Sequence, residues 1–571
     1  MLPRVTLTCR PTADPEDRPG APPGAVHRGP GRGQDPVAPP GEHRRDTRAV
    51  PAASHEGPEE QYMKQQHVDV MILGAGLSGI SAACHLAEAD PGLSYTILER
   101  RDRIGGTWDL FRYPGVRSDS DMYTFGYRFR AWHGTKILAD GPGIREYVQE
   151  TAGEHGVVEH IRFGRRAVRA SWSSEDGLWT VEAHDEATGE SELHTCRFLV
   201  NATGYYDYDQ GFRPEFPGEE RFTGTVVHPQ HWPEDLNYRG KRVVVIGSGA
   251  TAITLVPAMA EEAAHVTMLQ RSPTYIMTLP THDPVSVVLR KLRVPAKLVY
   301  DLGRRRNIAL QRGLYAACRK APRLMRKVLL AGVRAQLGPG IDMRHFTPSY
   351  KPWDQRLCVV PSGDLFKTLR SGRASVATDH IETFTEKGIR LKSGEEIEAD
   401  VIVTATGLRV QLAGGAALEV DGRPIATRDH VIYKGVLLDG IPNLAIILGY
   451  TNASWTLKAD MAADYVARLL TYMREQGHDQ VTAVATESDR AAESAMGDSL
   501  NSGYIQRGDA VMPRQGTRAP WKILNNYYRD RRALSRSPIA DPALRFGARP
   551  GAAPSGEEPR SAEADSTARV A

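Results

Sequence analysis

A glycine-rich turn near residue 74 has the residue types and the spacing that hold a pyrophosphate. Residues 68–73 are apolar except for Asp69 and predict a buried strand, after which Gly74-Ala-Gly76-Leu-Ser78-Gly79 opens a helix. Glycines at these positions permit a tight turn, close approach of a pyrophosphate and close packing of the helix on the strand. The N–H groups at the helix N-terminus favour the phosphate charge. The segment therefore predicts dinucleotide binding.

An acidic residue ends the next predicted strand. Residues 94–98 are followed by Glu99, which lies 25 positions after Gly74. A carboxylate at this place accepts hydrogen bonds from both ribose hydroxyls of a dinucleotide. We predict that this half of the chain binds FAD, through the residues Gly74, Gly76, Ser78, Gly79 and Glu99.

A second loop repeats the pattern but ends its next strand differently. The segment 242–246, apolar after Arg242, leads into Gly247-Ser-Gly249-Ala-Thr-Ala252, and the predicted strand 265–270 is followed by Arg271. A guanidinium at this position binds the 2′-phosphate of NADPH, whereas a carboxylate would repel it. We therefore expect NADPH to be preferred over NADH. The predicted NADPH site comprises Gly247, Ser248, Gly249, Ala250, Thr251, Ala252, Ile253, Arg271 and Ser272. Two such loops in one chain indicate hydride transfer from a nicotinamide to a flavin.

The segment between the loops carries a longer motif. Phe222, Gly224, His228 and Trp232, followed by a proline, match the FxGxxxHxxxW(P/D) fingerprint of Baeyer–Villiger monooxygenases, the ketone-to-ester branch of the class B flavin monooxygenases. Two Ala-Thr-Gly motifs, at 202–204 and 405–407, lie where that superfamily crosses between its nucleotide domains. Residues 66–547 closely resemble the ethionamide-activating subgroup of this family, through segments 105–115, 117–122, 228–235, 270–276, 353–358 and 452–458.

The resemblance implies an activity and its residues. The expected reaction is oxidation of a small ketone to an ester by dioxygen through a flavin C4a-peroxide, with Arg356 as the stabilising cation and Asp119 orienting Arg356 and touching the cofactor. The flavin is expected beside Thr107, Trp108, Asp109, Leu110 and Asp119, with Ala167 at the adenine, and the nicotinamide half beside Arg117, Ser118 and Asp119. His228 and Trp232 are expected to hold the linker, and Trp455 and Lys458 either face the substrate or NADPH pocket or are a core tryptophan and a solvated lysine.

Two departures from the commoner Baeyer–Villiger pattern leave other substrates open. Asp109 and Leu110 stand in Trp-Asp-Leu-Phe, where Trp-Tyr-Trp-Asn is usual, and Gln355 replaces a lysine. Both departures are shared with the ethionamide-activating subgroup. The nearest alternative is therefore oxygenation of sulfur or nitrogen in thioethers, thioamides or amines with the same cofactors.

Two further alternatives belong to other classes. A disulfide-reductase-like flavoprotein needs a redox-active cysteine pair, but the five cysteines, Cys9, Cys84, Cys196, Cys318 and Cys358, contain no such motif and no metal-site spacing. A nucleotide sensor without catalysis would bind both cofactors but would not oxidise NADPH faster with substrate. We therefore expect an enzyme with no metal.

Alternating strands and helices predict an α/β protein with two Rossmann-like dinucleotide-binding domains and a helical insertion. We assign 67–207 and 400–547 to the FAD domain and 208–399 to the NADPH domain, with the insertion at about 285–345. The Pro-, Gly- and Arg-rich residues 1–66 and residues 548–571 are expected to be disordered, and Met63 is an alternative start of translation.

Composition sets the expected partners and location. The net charge of +3 gives no indication of nucleic acid binding, and no apolar run is long enough to span a bilayer. Unpaired cysteines and the absence of a signal sequence favour the cytoplasm. Residues 285–337 carry 14 Lys and Arg and one acid, Asp301. This stretch either rests weakly on the anionic inner face of the membrane or forms a lid on the NADPH domain whose solvated basic face attracts the cofactor phosphates.

Overall fold

The computed structural model describes residues 66–496 and 503–548 of the 571-residue chain. The predictions made for residues 1–65 and 549–571, including the start at Met63, lie outside the described residues. The first strand begins at Gln66, so the last residue of the predicted N-terminal extension is already part of the fold.

Most helices connect strands, whereas three consecutive helices form a separate insertion. The helices are α1 Leu77–Ala89, α2 Thr107–Leu110, α3 Met122–Phe125, α4 Gly141–Glu154, α5 Ala250–Met259, α6 Pro284–Lys291, α7 Ala296–Lys320, α8 Pro322–Leu337, α9 Asp364–Arg370, α10 Thr456–Glu475, α11 Gly503–Gly508 and α12 Tyr527–Ser535.

The strands are numbered along the chain. They are β1 Gln66–Leu73, β2 Tyr95–Glu99, β3 Ile161–Phe163, β4 Arg165–Ser173, β5 Leu178–Asp185, β6 Ser191–Asn201, β7 Tyr206–Gly211, β8 Thr225–Val227, β9 Arg242–Ile246, β10 His265–Gln270, β11 Ile276–Leu279, β12 Cys358–Pro361, β13 Ala374–Thr378, β14 Ile381–Thr385, β15 Gly388–Leu391, β16 Glu396–Glu398, β17 Val401–Thr404, β18 Leu408–Val410, β19 Ala417–Val420, β20 Arg423–Pro424, β21 Ile432–Tyr433, β22 Leu437–Leu438, β23 Leu444–Ile446, β24 Gln480–Ala483, β25 Arg490–Ser494, β26 Arg514–Gly516 and β27 Leu544–Gly547.

The larger sheet is built around a parallel centre. Strand β1 pairs in parallel with β2 on one side and with β6 on the other, and β2 pairs with β3. The antiparallel strands β4 and β5 extend the sheet beyond β6, and β23 returns from the C-terminal half to pair with β6. Strand β1 is fully buried from Val70 to Leu73 because helices α1 and α10 and the antiparallel strands cover it. The first glycine loop follows the carboxyl end of β1, so it lies at the end of the sheet where these parallel strands terminate.

The second sheet has five strands in the order β13-β10-β9-β17-β8. Strand β17 corrects the predicted domain boundary at residue 400, because Val401 to Thr404 pair in parallel with β9. The chain therefore leaves this sheet after Thr404, through the second Ala-Thr-Gly motif. Strands β7 and β18 pair with each other beside that crossing.

The three insertion helices pack against both halves of the described body. In α7, Arg304 donates to the carbonyl oxygens of Tyr123 and Gly126 at 2.9 and 2.8 Å. In α8, Val333 and Leu337 are buried in the core of the second sheet. The insertion thus bridges the two predicted domains instead of covering the NADPH domain alone. Within residues 66–496 and 503–548, no helix combines the length and the apolarity required to cross a membrane.

Candidate active site

The first glycine loop has a backbone that only glycine permits. Gly74 has φ +97°, and a Cβ on Gly79 would lie 1.8 Å from the carbonyl oxygen of Gly74. Helix α1 begins directly after Gly76, and no side chain caps its first turn. The first-turn N–H groups are therefore available to a phosphate, as the sequence predicts.

Glu99 ends β2 and points its carboxylate back at this loop. Its two oxygens accept hydrogen bonds from the Ala75 N–H at 2.7 Å and the Arg101 N–H at 2.8 Å. Burial raises the pKa of Glu99, although these two backbone donors and the neighbouring arginines oppose that shift. Each oxygen keeps a lone pair that can accept a further hydrogen bond, as the predicted contact with ribose hydroxyls requires.

A cavity of about 80 Å³ lies between the first glycine loop and a second pair of glycines. Gly76 and Gly106 both line it, and their backbones are in direct contact, because a Cβ on Gly106 would lie 3.0 Å from the Gly76 Cα. Thr107 and Tyr208 join their hydroxyl groups at 3.1 Å on the same wall. The glycine cradle, the uncapped helix and the fixed carboxylate fit an adenine dinucleotide.

The second glycine loop has the same geometry at the end of β9. Gly247 has φ +143°, and its Cβ would lie 2.4 Å from the Ala405 carbonyl oxygen, whereas Gly249 faces open space. Ser248 donates to the carbonyl oxygen of Ser272 at 2.9 Å, which ties the loop to the end of β10. Of the residues predicted to bind NADPH, Ala252 and Ile253 are buried in the core behind the loop and do not line the cavity.

A large cavity of about 910 Å³ lies beside the second glycine loop and adjoins the smaller cavity. The second glycine loop lines it from Gly247 to Thr251, together with Arg271 and Ser272 at the end of β10. Arg271 is exposed there, as a side chain that binds a 2′-phosphate must be. Four residues also line the smaller cavity, so a flavin and a nicotinamide would meet at that boundary: Thr107, Trp108, Gly204 and Trp455.

Arg356 and Asp119 form an ion pair in the wall of the large cavity. The Arg356 Nε lies 3.1 Å from Asp119 Oδ2, and its Nη2 donates to Oδ1 at 3.3 Å. The charge of Asp119 is the largest cause of a raised pKa at Arg356, so the guanidinium is a permanent cation. The structure therefore brings together the two residues that the sequence pairs across more than two hundred positions.

Three tyrosines beside this ion pair were missed in the sequence. Tyr205 and Tyr206 join their hydroxyl groups at 2.8 Å, Tyr504 stacks on Tyr205, and all three line the cavity. Tyr205 and Tyr206 follow the first Ala-Thr-Gly motif directly, which was the available signal. Tyr504 lies in α11, far along the chain, and no motif in the sequence marked it as a site residue.

Arg117 and Ser118 line the large cavity, next to Asp119. Arg117 donates to Asp364 at 2.8 Å, and its other terminal nitrogen, Nη2, is buried without a partner among the described residues. Their assignment to the nicotinamide half stays a prediction. The position of Arg117 is consistent with a further acceptor from a bound ligand.

Three predicted FAD residues lie away from both cavities. Asp109 is fully buried and is paired with surrounding arginines, of which Arg101 is nearest at 2.7 Å. Leu110 is buried, and Ala167 lies on β4 opposite Ala183. The charge of Asp109 is therefore balanced by arginines of the protein itself. A contact of these three residues with FAD stays a prediction.

The fingerprint residues hold the crossing between the sheets. His228 donates from Nε2 to the Gly407 carbonyl oxygen at 3.2 Å, while its Nδ1 accepts from the Gln230 N–H at 3.2 Å. Phe222 packs edge-on against Phe384, and Trp232 packs edge-on against Tyr238. A Cβ on Gly224 would lie 2.5 Å from the Asp400 carbonyl oxygen. These contacts fit the expected role in holding the linker.

Trp455 and Lys458 occupy different surroundings. Trp455 lines both cavities, stacks on Tyr205 and donates to the Ser78 Oγ at 3.2 Å. Lys458 is buried, which lowers its pKa, and its ammonium lies over the Tyr450 ring. The solvated lysine considered from the sequence is therefore wrong, and only Trp455 of this pair lines the large cavity.

Thiol and metal chemistry find no support in the described residues. Cys84, Cys196, Cys318 and Cys358 are buried and unpaired, and burial raises the pKa of Cys84 and Cys358 to about 12. No group of metal-binding side chains occurs in residues 66–496 and 503–548. The geometry required of a disulfide reductase is absent from this part of the chain.

Comparison with known proteins gives the family. The chain is 51% identical to the FAD-containing monooxygenase EthA of Mycobacterium tuberculosis over 487 residues, which cover 85% of this chain and 99% of EthA. It is 58% identical to MymA of the same organism, over 85% of this chain and 98% of MymA. The chain belongs to the class B flavin monooxygenases.

Other matches agree with this family. The flavin-binding monooxygenase-like family matches residues 138–305, and the NAD(P)-binding Rossmann-like domain matches residues 72–151. A steroid monooxygenase bound to NADP has a TM-score of 0.67 at 24% identity, covering 85% of this chain and all of that chain. A cyclohexanone monooxygenase also has a TM-score of 0.67, at 19% identity and the same coverage. These two structures show the fold. This flavin monooxygenase is an FAD- and NADPH-dependent enzyme.

Proposed function

We propose that this monooxygenase inserts one atom of dioxygen into a small ketone to give an ester, with Arg356 as the stabilising cation. The observation that carries the proposal is the position of the Arg356–Asp119 ion pair, in the wall of a cavity that the second glycine loop lines and that adjoins the cavity at the first loop. When bound, FAD reduced by the nicotinamide supplies the activation of dioxygen. The chain supplies positioning, charge and exclusion of water.

Arg356 acts on the charge that develops during ketone oxidation. Negative charge builds up on the former carbonyl oxygen as the substrate is attacked, and a fixed cation stabilises it more than the neutral ketone. Asp119 engages the Nε and Nη2 groups of Arg356, which leaves Nη1 to other partners. Asp119 is therefore a positioning residue for the cation.

Aromatic side chains give this part of the cavity its apolar character. Tyr205, Tyr206, Tyr504, Phe212 and Trp455 all line it. Such a wall excludes water and accepts an apolar substrate body, and it strengthens the field of the guanidinium in a site of low dielectric. A small ketone is the substrate class that these surroundings support best.

Oxygenation of a thioether or an amine is the competing reaction, and it makes a different demand on Arg356. Sulfur and nitrogen attack as nucleophiles, so no oxyanion forms on the substrate. The Arg356→Ala variant should therefore lose ketone oxidation by about a hundred- to a thousandfold while keeping a larger share of its sulfoxidation. Ester and sulfoxide are measured by mass, side by side, with FAD absorbance as the check on cofactor binding.

Two further variants sharpen this experiment. Asp119→Asn should lower ketone turnover less than Arg356→Ala does, because the cation remains but is less firmly oriented. Arg409→Ala is the control, since Arg409 is exposed and does not line the cavity. Ester formation by Arg356→Ala at the wild-type rate would contradict the role assigned to the cation.

A further inference from the structure

Exposed apolar side chains are concentrated on the helical insertion. Among the described residues, ten large hydrophobic side chains are exposed, and eight of them lie between residues 285 and 328. They are Val285, Val288, Leu292, Leu298, Leu302, Leu310, Leu324 and Val328. Scattered single apolar residues are normal on a protein surface, but such a concentration marks a surface that meets a partner.

The apolar positions follow the helical period. On α8, Leu324, Val328, Ala331 and Ala335 are exposed at i, i+4, i+7 and i+11, so they form one outward stripe. On α6, Val285 and Val288 are exposed in the same way, and Leu292 follows at the helix end. Each of these helices thus turns an apolar stripe away from the core.

Basic side chains accompany the stripes. Seven exposed lysines and arginines of the insertion make no ion pair with any residue in 66–496 or 503–548: Lys291, Arg293, Arg305, Lys320, Arg323, Lys327 and Arg334. The one acid of the stretch, Asp301, is 3.1 Å from Lys297. The outward surface therefore combines apolar groups with an excess of positive charge.

The inner faces of the helices are already occupied by the protein. The Tyr300 hydroxyl donates to the Tyr127 carbonyl oxygen at 2.9 Å, and Asn307 and Gln311 donate to the Asp121 carboxylate at 2.8 and 2.7 Å. Asp121 lies two residues beyond Asp119, so α7 is fixed to the segment that lines the large cavity. The inner faces of the insertion therefore pack against the rest of the protein, and the outward stripes have no role in that packing.

We propose that the insertion docks on the surface of an anionic lipid bilayer, with the apolar stripes at the level of the acyl boundary and the basic side chains against the headgroups. Each lysine or arginine near an anionic surface strengthens binding roughly fivefold, and apolar side chains add to it. A solvated lid that attracts cofactor phosphates would need the charges but would gain nothing from exposed leucines and valines. Nucleic acid would likewise leave the stripes in water. The docking does not depend on which substrate the enzyme oxidises.

Co-sedimentation of the full-length holoenzyme with lipid vesicles tests the proposal. Vesicles of equal parts phosphatidylglycerol and phosphatidylcholine should pellet the enzyme at low salt, and vesicles of phosphatidylcholine alone should pellet much less. High salt should weaken the binding to anionic vesicles because exposed charges are screened. FAD absorbance of the supernatant and of the pellet shows that the enzyme is folded in both.

Two groups of variants separate charge from apolar contact. The triple variant Arg323→Gln, Lys327→Gln, Arg334→Gln should lower the partition coefficient about a hundredfold, since it removes three charges. The double variant Leu324→Ser, Val328→Ser should lower it at least tenfold with all charges kept. The controls are Lys387→Gln, Lys392→Gln, Arg423→Gln for charge and Val158→Ser for apolar exposure, because all four residues are exposed outside the insertion. Both control variants should bind like the wild type.

Three results would overturn the proposal. The first is wild-type enzyme that stays in the supernatant with anionic vesicles at low salt. The second is a triple charge variant that binds no less than its charge control. The third is an apolar double variant that binds as well as the wild type, because then charge alone would hold the enzyme and the stripes would have no part in docking.

Discussion

At the scale of single residues, the chemistry depends on charges whose positions the backbone sets. Arg271 follows β10 directly and points into the large cavity, where no acid of β10 competes with a phosphate. Arg356 is held by Asp119 in the same wall. Both guanidinium groups line one cavity. We propose that the first selects the cofactor and that the second acts on the substrate.

The Arg271→Ala variant should separate NADPH from NADH. Losing one charge-assisted contact with a phosphate costs roughly 1.5–3 kcal/mol, so KM for NADPH should rise about ten- to a hundredfold. KM for NADH should stay nearly the same, since NADH lacks the 2′-phosphate. Initial rates with both cofactors measure this, with the exposed Arg239→Ala as control. A variant that still discriminates like the wild type would show that another residue reads the phosphate.

Gly79, the third glycine of the first motif, and Gly249, the second glycine of the second motif, should respond differently to alanine. A methyl group on Gly79 would meet the Gly74 carbonyl oxygen at 1.8 Å, whereas a methyl group on Gly249 meets open space. We expect Gly79→Ala to lose about 1–3 kcal/mol of unfolding free energy and to bind FAD poorly. Gly249→Ala should keep its stability within about 0.5 kcal/mol but bind NADPH more weakly, because the methyl group occupies the space for the pyrophosphate. Denaturant unfolding and cofactor titration distinguish the two, and equal loss of stability in both variants would refute the comparison.

At the scale of elements, helix α1 keeps the first glycine loop in place through a buried polar contact with α10. Asp460 accepts from Ser81 at 3.1 Å and contacts the His85 Nε2 at 3.0 Å, and it is 2% exposed. Burial opposes ionisation of Asp460, yet His85 and nearby arginines lower its pKa overall. The helix that offers its N-terminus to the phosphates is therefore anchored by charge as well as by apolar packing.

Breaking this contact should cost more stability than breaking a surface one. We expect Asp460→Leu to lower the unfolding free energy by about 3–5 kcal/mol, because it leaves the buried His85 and Ser81 without their partner. Asp464→Asn, one turn further along α10, should cost about 0–1 kcal/mol, since the ion pair of Asp464 is with the exposed Arg128, at 3.8 Å. Urea denaturation of the two variants gives both values. Similar losses would mean that Asp460 is not an anchor.

These elements also show which parts of the site could be predicted from the sequence. Both glycine loops, Glu99 and Arg271 could be predicted because strand, turn and helix are contiguous and their chemistry is local. The Asp460 contact could not, since it joins residues 375 positions apart and leaves no periodic trace. Asp109 shows a different limit. Its position beside the segment expected at the flavin could be read from the sequence, but its pairing with Arg145 of α4 could not.

At the scale of the whole molecule, the chain passes from the second sheet back to the first after Thr404, and the fingerprint histidine, His228, contacts this crossing segment. Strand β17 belongs to the second sheet, which placed the boundary after Thr404 instead of at residue 400. A short, largely apolar strand such as β17 could belong to either parallel sheet, so its pairing partner cannot be inferred from its own residues. His228 contacts Gly407 just beyond that strand, and it therefore links the two parts of the chain that join the sheets.

The crossing should make stability depend on pH. Burial is the largest cause of a lowered pKa at His228 in the folded protein. In the unfolded chain the pKa of this histidine is about 6.5, so below that pH the unfolded chain binds more protons than the folded protein. Unfolding free energy should therefore fall as pH drops from about 7 towards 5. The His228→Gln variant should show a shallower fall, whereas His231→Gln, which changes the neighbouring exposed residue, should follow the wild type. Identical pH slopes for His228→Gln and the wild type would exclude this role.

The position of the oxygen atom in the product tests the proposed reaction most directly. The purified enzyme is incubated with NADPH, a ketone and dioxygen labelled with the heavy isotope, and the product is analysed by fragment masses. Insertion beside a carbonyl predicts an ester with one heavy oxygen, located in the singly bonded position, while the carbonyl oxygen stays light. NADPH consumed without labelled ester from any ketone, or label found in the carbonyl oxygen, would contradict the account.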